Sequence, residues 1–356
     1  MTAAVARART SFSVPASLHA TEPPEASGRR RDDVRLLVAR PGRVEHARFY
    51  DLAEHLRPGD LLVVNTSATI PAAVDGIEPG GRAVTVHFSA PRGRDRWIVE
   101  LREPDGKRRG GDAGGAVTLP GGARVEIVAA HRDAGRLWVA RARGIADVER
   151  YLERYGRPIS YDYVGRRWPL PDYQTVFARV PGSVEMPSAA RPFTHRLVTE
   201  LVTRGITLAP VVLHCGVSSL EAGEPPEDER YEVPEATARL VNATRLGGGR
   251  VIAVGTTATR ALETVARRDG TVRAGRGVTD LVLDPSRPPR AVDGLVTGWH
   301  PPGASHLSLL EAVAGADLVD TAYEVALAHR YLWHEFGDSC LFLPADGDEG
   351  RAAAVA

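Results

Sequence analysis

The sequence predicts an α/β protein whose main domain is built on a largely parallel sheet and is interrupted by a small all-β, barrel-like domain. Three observations carry this. Short apolar runs closed by polar residues, such as "GDLLVVN" (59–65) and "RVIAVG" (250–255), read as buried strands. Segments of helical spacing alternate with such runs in the second half of the chain. From about Gly76 to Arg143 the texture changes to short alternating runs separated by Gly, Pro and Asp clusters.

Taken in order, residues 1–11 and 344–356 are rich in small and charged residues and read as flexible ends. The main domain takes in 12–75 and 144–343. The inserted barrel takes in 76–143, with strands expected at "AVTVHFSA", "RWIVELRE", "AVTLP", "RVEIVAA" and "RLWVARA". A helix follows in "IADVERYLERYG". The connector "RPISYDYVGRRWPLPDYQTVFARVPGSVEMPSAARPF" is irregular and long, which inside a compact domain marks function rather than filler. Next come helix "THRLVTELVTRG", strand "ITLAPVVLH", helix "PEATARLVNATRLGG", and strand and helix in "RVIAVGTTATRALETVARR". The chain closes with "AVDGLVTGWH", two helical stretches and the strand "SCLFL".

Composition narrows the function. With 356 residues, 43% hydrophobic and 25% charged, the chain is an ordinary globular protein able to bury a sizeable core. Its net charge of zero supplies no global field toward nucleic acid or anionic lipid, and leaves a local basic patch open. Lys107, the only lysine, lies in the polar "DGKRRGGDAGG", a poor setting for the desolvation a Schiff-base lysine needs. Cys215 and Cys340 make neither a disulfide framework nor a zinc cluster. Without a signal-like segment or a long apolar run, a cytoplasmic protein with no membrane partner is expected.

The chemistry-bearing residues gather where strands end. Gly255 closes a strand as a helix begins, so the following N–H groups and the hydroxyls of Thr256 and Thr257 either cap the helix or cradle a carboxylate, ribose or phosphate. Two further strands end in "VVLHCG" and "LVTGWH", placing His214 and His300 on the same inferred edge, although a histidine ending an apolar run is often structural. GxGxxG, GxxxxGK[ST] and GxSxG are missing, which disfavours dinucleotide, triphosphate and serine-hydrolase chemistry. His300 with His306, and His329 with His334, lack a carboxylate at ligand spacing, so no metal is expected. Glu229 and Glu232 flank Tyr231 ahead of a helix and read as dipole caps; Asp338 sits in a turn into the last strand.

These residues occur in runs whose order resembles the S-adenosylmethionine:tRNA ribosyltransferase-isomerase family of the queuosine pathway: "RDDVRLL", "PGDLLVVNTSATIPA", "YQTVFARVPGSVEMPSAARPF", "VVLHCG", "YEVPEAT", "VIAVGTTATRALE", "VDGLVTGWHPPGAS" and "FGDSCLFL". The similarity spans about Phe12 to Leu343. It implies an α/β domain with an inserted barrel, and S-adenosylmethionine as co-substrate with no metal. The ribosyl part passes to the 7-aminomethyl-7-deazaguanine base of tRNA, giving epoxyqueuosine, and adenine and methionine leave. Carried over by position, His214, His300 and Glu229 are the catalytic candidates. Gly255, Thr256, Thr257, Arg260 and Asp338 are the cofactor-binding candidates, with Arg260 pairing the carboxylate. Asn65, Tyr173, Gln174 and Thr175 would line the cleft.

Several positions depart from the family pattern. Pro192 stands where a histidine is usual and Arg191 where a leucine is; His195 is the nearest substitute. Asn65-Thr66-Ser67-Ala68 and Ala73 each lack a usual arginine, Ser218-Ser219 replaces Gly-Thr, Glu227 replaces a histidine, and "GWHPP" replaces Asn-Phe-His-Leu-Pro. These losses motivate the alternative of an S-adenosylmethionine-using enzyme on the same fold that acts on a small molecule or cleaves the cofactor without tRNA.

Overall fold

The computed structural model describes residues 8–93, 95–107, 109–111, 113–132, 135–217 and 226–345. Strands β1 (Arg35–Arg40) and β2 (Arg43–Arg48) form a hairpin, followed by β3 (Leu61–Asn65) and the short β4 (Ser67–Thr69). Six strands then close on themselves: β5 (Ala73–Ile77), β6 (Ala83–Pro91), β7 (Arg96–Arg102), β8 (Ala116–Thr118), β9 (Arg124–His131) and β10 (Leu137–Arg143). They are joined in the barrel order β10-β7-β6-β5-β8-β9. Helix α1 (Val148–Tyr155), capped by the Asp147 side chain, leads into the connector, whose strand β11 (Val180–Ser183) pairs with β4.

The chain continues through α2 (His195–Thr203), β12 (Thr207–Leu213), β13 (Glu229–Val233), α3 (Glu235–Leu246), β14 (Val251–Val254) and α4 (Thr256–Val265). It ends with β15 (Gly275–Thr279), β16 (Gly294–Gly298), α5 (Ser305–Ala314), α6 (Ala316–Ala328) and β17 (Ser339–Phe342). The main sheet has nine strands in the order β15-β13-β12-β3-β14-β16-β17-β1-β2. Strands β12, β3, β14 and β16 run parallel, as do β17 and β1; the pairs β15–β13, β13–β12, β16–β17 and β1–β2 are antiparallel.

The sheet is therefore mixed, which corrects the largely parallel sheet expected from the sequence. Helix–strand alternation describes only the central four strands, where parallel pairing demands a crossover. At the flanks, strands β1–β2 and β12–β13 pair with their chain neighbours and β17 meets β16 head to tail. Hydrophobic periodicity carries no trace of strand direction.

The central strands are buried on both faces. Leu61 and Val63 enter one apolar cluster with Val241, Leu262 and Leu307, while Leu62 and Val64 enter a second with Leu52, Phe193 and Leu201. Alternate side chains thus fill opposite layers, which is why the run reads as uninterrupted apolar sequence. At the amino edge Asp60 binds Arg250 in two bonds of 3.0 and 2.6 Å, fixing β14 beside β3. Farther along, Glu263 of α4 accepts the amides of Arg290, Ala291 and Val292 and orients the entry to β16. Both clamps fix where the strands end on the opposite edge.

Two local expectations change. "ERYEV" is strand β13, so Glu229 and Glu232 are not helix caps; the helix begins only after Pro234. Composition also placed residues 1–11 in a free end, yet Thr10 is buried with its amide and hydroxyl on Glu311, and Arg9 binds Asp320 at 2.7 Å. A side chain deeper in the fold holds them, which local composition cannot reveal. Residues 1–7 and 346–356 of the expected flexible ends lie outside the described residues. Among the described residues no helix is long and apolar enough to cross a membrane.

Candidate active site

The parallel strands β3, β12, β14 and β16 end on one edge, and a cavity opens there, walled by the connector, the β14–α4 junction, the end of β16 and the turn before β17. Gly255 makes the β14–α4 turn at φ +95°, a left-handed conformation that costs a residue with a Cβ. No side chain caps α4, so the amides of its first turn keep their donor capacity beside the cavity. Gly255, Thr256 and Thr257 all line the wall. The Thr257 hydroxyl accepts from Asn65 Nδ2 at 3.1 Å, so its rotamer is fixed by β3.

Glu229 and Arg260 face the same space. One Glu229 oxygen accepts the Gly216 amide at 3.0 Å and the other pairs with Arg260. The remaining Arg260 nitrogens donate to the carbonyls of Leu281, Glu227 and Thr279. Burial raises the Glu229 carboxyl, against the pull of the guanidinium and of the amide. Arg260, expected to pair a substrate carboxylate, here holds Glu229 and three backbone carbonyls.

His300 lines the same cavity. Its Nε2 lies 2.9 Å from the Thr297 hydroxyl, its amide donates to the Tyr323 hydroxyl, and its ring stacks on His306 at 4.4 Å with planes 4° apart. Burial, and after it the neighbouring His306, holds the His300 imidazole well below its ordinary range; His306 itself is lowered to about 4. Both rings are neutral at physiological pH. Among the described residues no group of three or more His, Cys, Asp or Glu side chains converges as a metal site would.

Tyr173 also lines the cavity, but five predicted residues do not. His214 turns its Nδ1 to the Ser67 hydroxyl at 2.8 Å, which in turn meets Ser183 at 2.6 Å, and its ring covers Gly182. Asn65 is fully buried, bonding both backbone groups of Leu213 as well as Thr257. Gln174 zips both amide atoms onto the backbone of Thr69, and Thr175 accepts from Phe177. Asp338 receives Arg35 through its amide and guanidinium, and the Leu332 amide besides. These five frame the wall and do not form its surface: Asn65, Gln174, Thr175 and Asp338 accept backbone amides that strand ends and turns leave open, and His214 is held by the Ser67 hydroxyl.

The departures also have positions. Arg191 is buried and bonds Glu25 and the Asp172 carbonyl, Pro192 is buried, and His195 is exposed on α2, away from the cavity. His195 is thus no replacement at the wall. Glu227 lines the cavity while binding His131 of the barrel at 2.8 Å, and Ser218-Ser219 lie outside the described residues.

Comparison with known proteins identifies the frame. Residues 8–342 match a family described as queuosine biosynthesis protein. The chain belongs to that family. A Symbiobacterium thermophilum relative named S-adenosylmethionine:tRNA ribosyltransferase-isomerase is 39% identical, covering 93% of this chain and 98% of its own. One of the same name from Methylobacterium is 36% identical over 94% and 98%. The crystal structure of S-adenosylmethionine tRNA ribosyltransferase from Thermotoga maritima superposes with a TM-score of 0.52 at 30% identity, covering 94% of this chain and 99% of the other.

In this queuosine biosynthesis family member the cavity also holds Tyr161, Tyr163, Glu185 and Glu335, which sequence reasoning passed over, and His306 and His334, which it weighed only as metal ligands. Tyr161 donates to Glu185, and Tyr163 to Glu335 at 2.7 Å. The signal available was the pair of tyrosines in "SYDYVG" inside the long connector; a turn closed by the Val164 amide on the Tyr161 carbonyl brings both to the wall. Cys215 is at the wall too, but burial pushes its thiol up, so it is an inert small residue there.

Proposed function

We propose that this chain transfers the ribosyl moiety of S-adenosylmethionine to the 7-aminomethyl-7-deazaguanine base of tRNA, giving epoxyqueuosine and releasing adenine and methionine. The observation that carries this reading is that relatives bearing the enzyme's name match along nearly their whole length and along nearly the whole of this chain. A tRNA substrate fits a cytoplasmic enzyme.

The chemistry follows from the substrate. The sulfonium acidifies the adjacent C5′ protons; a base removes one, the ylide expels adenine, the acceptor amine attacks, and epoxide closure releases methionine. The protein must place a base, a proton for adenine, and a seat for the methionine carboxylate. A neutral His300 is suited to take the C5′ proton, because an imidazole already protonated has no lone pair to offer. Glu229, paired with Arg260 and the Gly216 amide, is the orienting candidate on the same wall. The uncapped first turn of α4, with Gly255, Thr256 and Thr257, is the seat for the carboxylate, where amide donors and the helix dipole favour negative charge. Tyr173 contributes ring surface to the wall. His214, Asn65, Gln174, Thr175 and Asp338 act by holding that wall in shape.

Purified protein incubated with labelled S-adenosylmethionine and tRNA carrying the deazaguanine base tests this. Adenine release that requires the tRNA supports the reading. Release at the same rate without tRNA supports cofactor cleavage or a small-molecule acceptor instead.

A further inference from the structure

A primary amine is an ammonium ion at neutral pH and must lose a proton before its nitrogen can attack carbon. Neither His300 nor Glu229 in the roles above supplies that step. Glu335, on the turn that precedes β17, lines the same cavity. Its carboxylate accepts a 2.7 Å hydrogen bond from the Tyr163 hydroxyl. The Tyr163 ring stacks on His334 at 3.9 Å with planes 10° apart, and lies 6.0 Å from Tyr161, which donates to Glu185. Two tyrosine–carboxylate pairs thus stand side by side in the wall.

No guanidinium pairs with Glu335 among the described residues. Arg191, the cation that acts on it, is held by Glu25 at 3.0 Å and by the Asp172 carbonyl. The other groups facing it are uncharged or negative: burial lowers His334 to about 3 and holds the Tyr161, Tyr163 and Tyr173 hydroxyls protonated, while Glu185 adds like charge. A carboxylate without a cationic partner, in a cavity whose acceptor brings a cation, has its counter-ion missing.

Resting on the activity proposed above, we propose that the Glu335 carboxylate, held by Tyr163 on the cavity wall, binds the primary ammonium of the acceptor base and takes its proton. The N–H bond breaks with its electron pair left on nitrogen, and an O–H bond forms on Glu335. The neutral amine then carries that lone pair into the new C–N bond. Burial pushes the Glu335 carboxyl up to about 7, against the Tyr163 hydrogen bond, so it exchanges protons near working pH.

Calorimetric binding of the free 7-aminomethyl-7-deazaguanine base and of its uncharged 7-methyl analogue tests the assignment, with wild type, Glu335→Gln and Tyr163→Phe compared at about pH 6 and about pH 8. Wild type should prefer the aminomethyl base about tenfold or more at the higher pH, where Glu335 is ionised, and less at the lower pH. Glu335→Gln should lose the preference at both, whereas Tyr163→Phe, which keeps the charge, should retain most of it. With tRNA as acceptor, wild-type kcat/KM should fall about tenfold per pH unit below the Glu335 value, and Glu335→Gln should lack that limb. Equal binding of the two bases by wild type at both pH values overturns the assignment whether or not the glutamine variant folds. A wild type that prefers the ammonium yet releases no adenine with tRNA leaves the Glu335 assignment standing and refutes the proposed activity. Normal tRNA-dependent turnover by Glu335→Gln refutes the assignment and leaves the activity intact.

Discussion

One guanidinium nitrogen of Arg260 pairs with Glu229, tying helix α4, which starts at the Gly255 turn, to strand β13 across the cavity wall. The other nitrogens are satisfied by carbonyls, so the guanidinium acts as a rigid bracket for one carboxylate.

Arg260→Met should therefore leave Glu229 as a buried, uncompensated carboxylate and destabilise the fold by about 3–5 kcal/mol. Glu229→Gln keeps the shape and an acceptor oxygen but strips the buried guanidinium of its counter-ion, so it too should destabilise the fold, while lowering adenine release about 100-fold. Urea unfolding curves and turnover of both variants check this; Arg260→Met within about 1 kcal/mol of wild type means the pair does not form.

The two histidines of the strand ends should separate. His300→Gln, at the wall, should reduce adenine release about 100-fold or more, whereas His214→Ala, behind it, should reduce it by less than about tenfold. Gly182→Ala offers a cross-check on His214: an added Cβ would sit 2.5 Å from its Nδ1, so the ring must shift. Equal losses in His300→Gln and His214→Ala contradict the geometry.

Gly255→Ala tests the turn. With φ at +95° and the Ala189 methyl 3.3 Å from an added Cβ, the substitution should cost about 1–3 kcal/mol and weaken S-adenosylmethionine binding, because the α4 amides move with the turn. Thermal unfolding and calorimetric titration of the cofactor give the two readouts. An alanine variant that melts and binds like wild type shows that the turn's conformation does not matter.

In the barrel, Glu100 is fully buried and bonds Arg102 at 2.7 Å, Arg136 at 2.9 Å and His87 at 3.1 Å. Burial alone would raise its carboxyl, but the bonds from His87 and Arg102 outweigh that and hold it well below the ordinary carboxylate range. A depressed native value means that the unfolded chain takes up the proton first as pH falls. The contribution is thus complete above the ordinary value near 4.5 and is lost as pH falls below it. Glu100→Gln should cost about 3–5 kcal/mol at neutral pH, with a difference from wild type that shrinks in acid. Denaturant unfolding across that range decides it, and a pH-independent difference contradicts the ionised cluster.

Much of this was legible in the sequence because it is local. "GDLLVVN" and "RVIAVGTT" showed buried strands, and the turn-rich interval from Gly76 showed the barrel, since burial on two faces and frequent turns leave marks in consecutive residues. That Gly255, Thr256, Thr257 and His300 line one cavity was legible from their place at strand ends, whereas Glu229, locally a helix cap, stood out by family order alone. What was not legible depends on partners far away in the chain. That Asp338 would bind Arg35, or that Asn65 would bond Leu213 across to β12, follows from tertiary neighbours alone. The same holds for strand direction at the sheet flanks, and for Glu335, an unremarkable acid in "LWHEFG" until Tyr163 meets it from the connector.

The measurement that tests the account most directly is mass spectrometry of nucleosides digested from tRNA that carried 7-aminomethyl-7-deazaguanine and was incubated with this protein and S-adenosylmethionine. The predicted result is conversion of that nucleoside to epoxyqueuosine, with one adenine and one methionine released per conversion. Adenine released while the nucleoside keeps its original mass, or no change in either, contradicts the account.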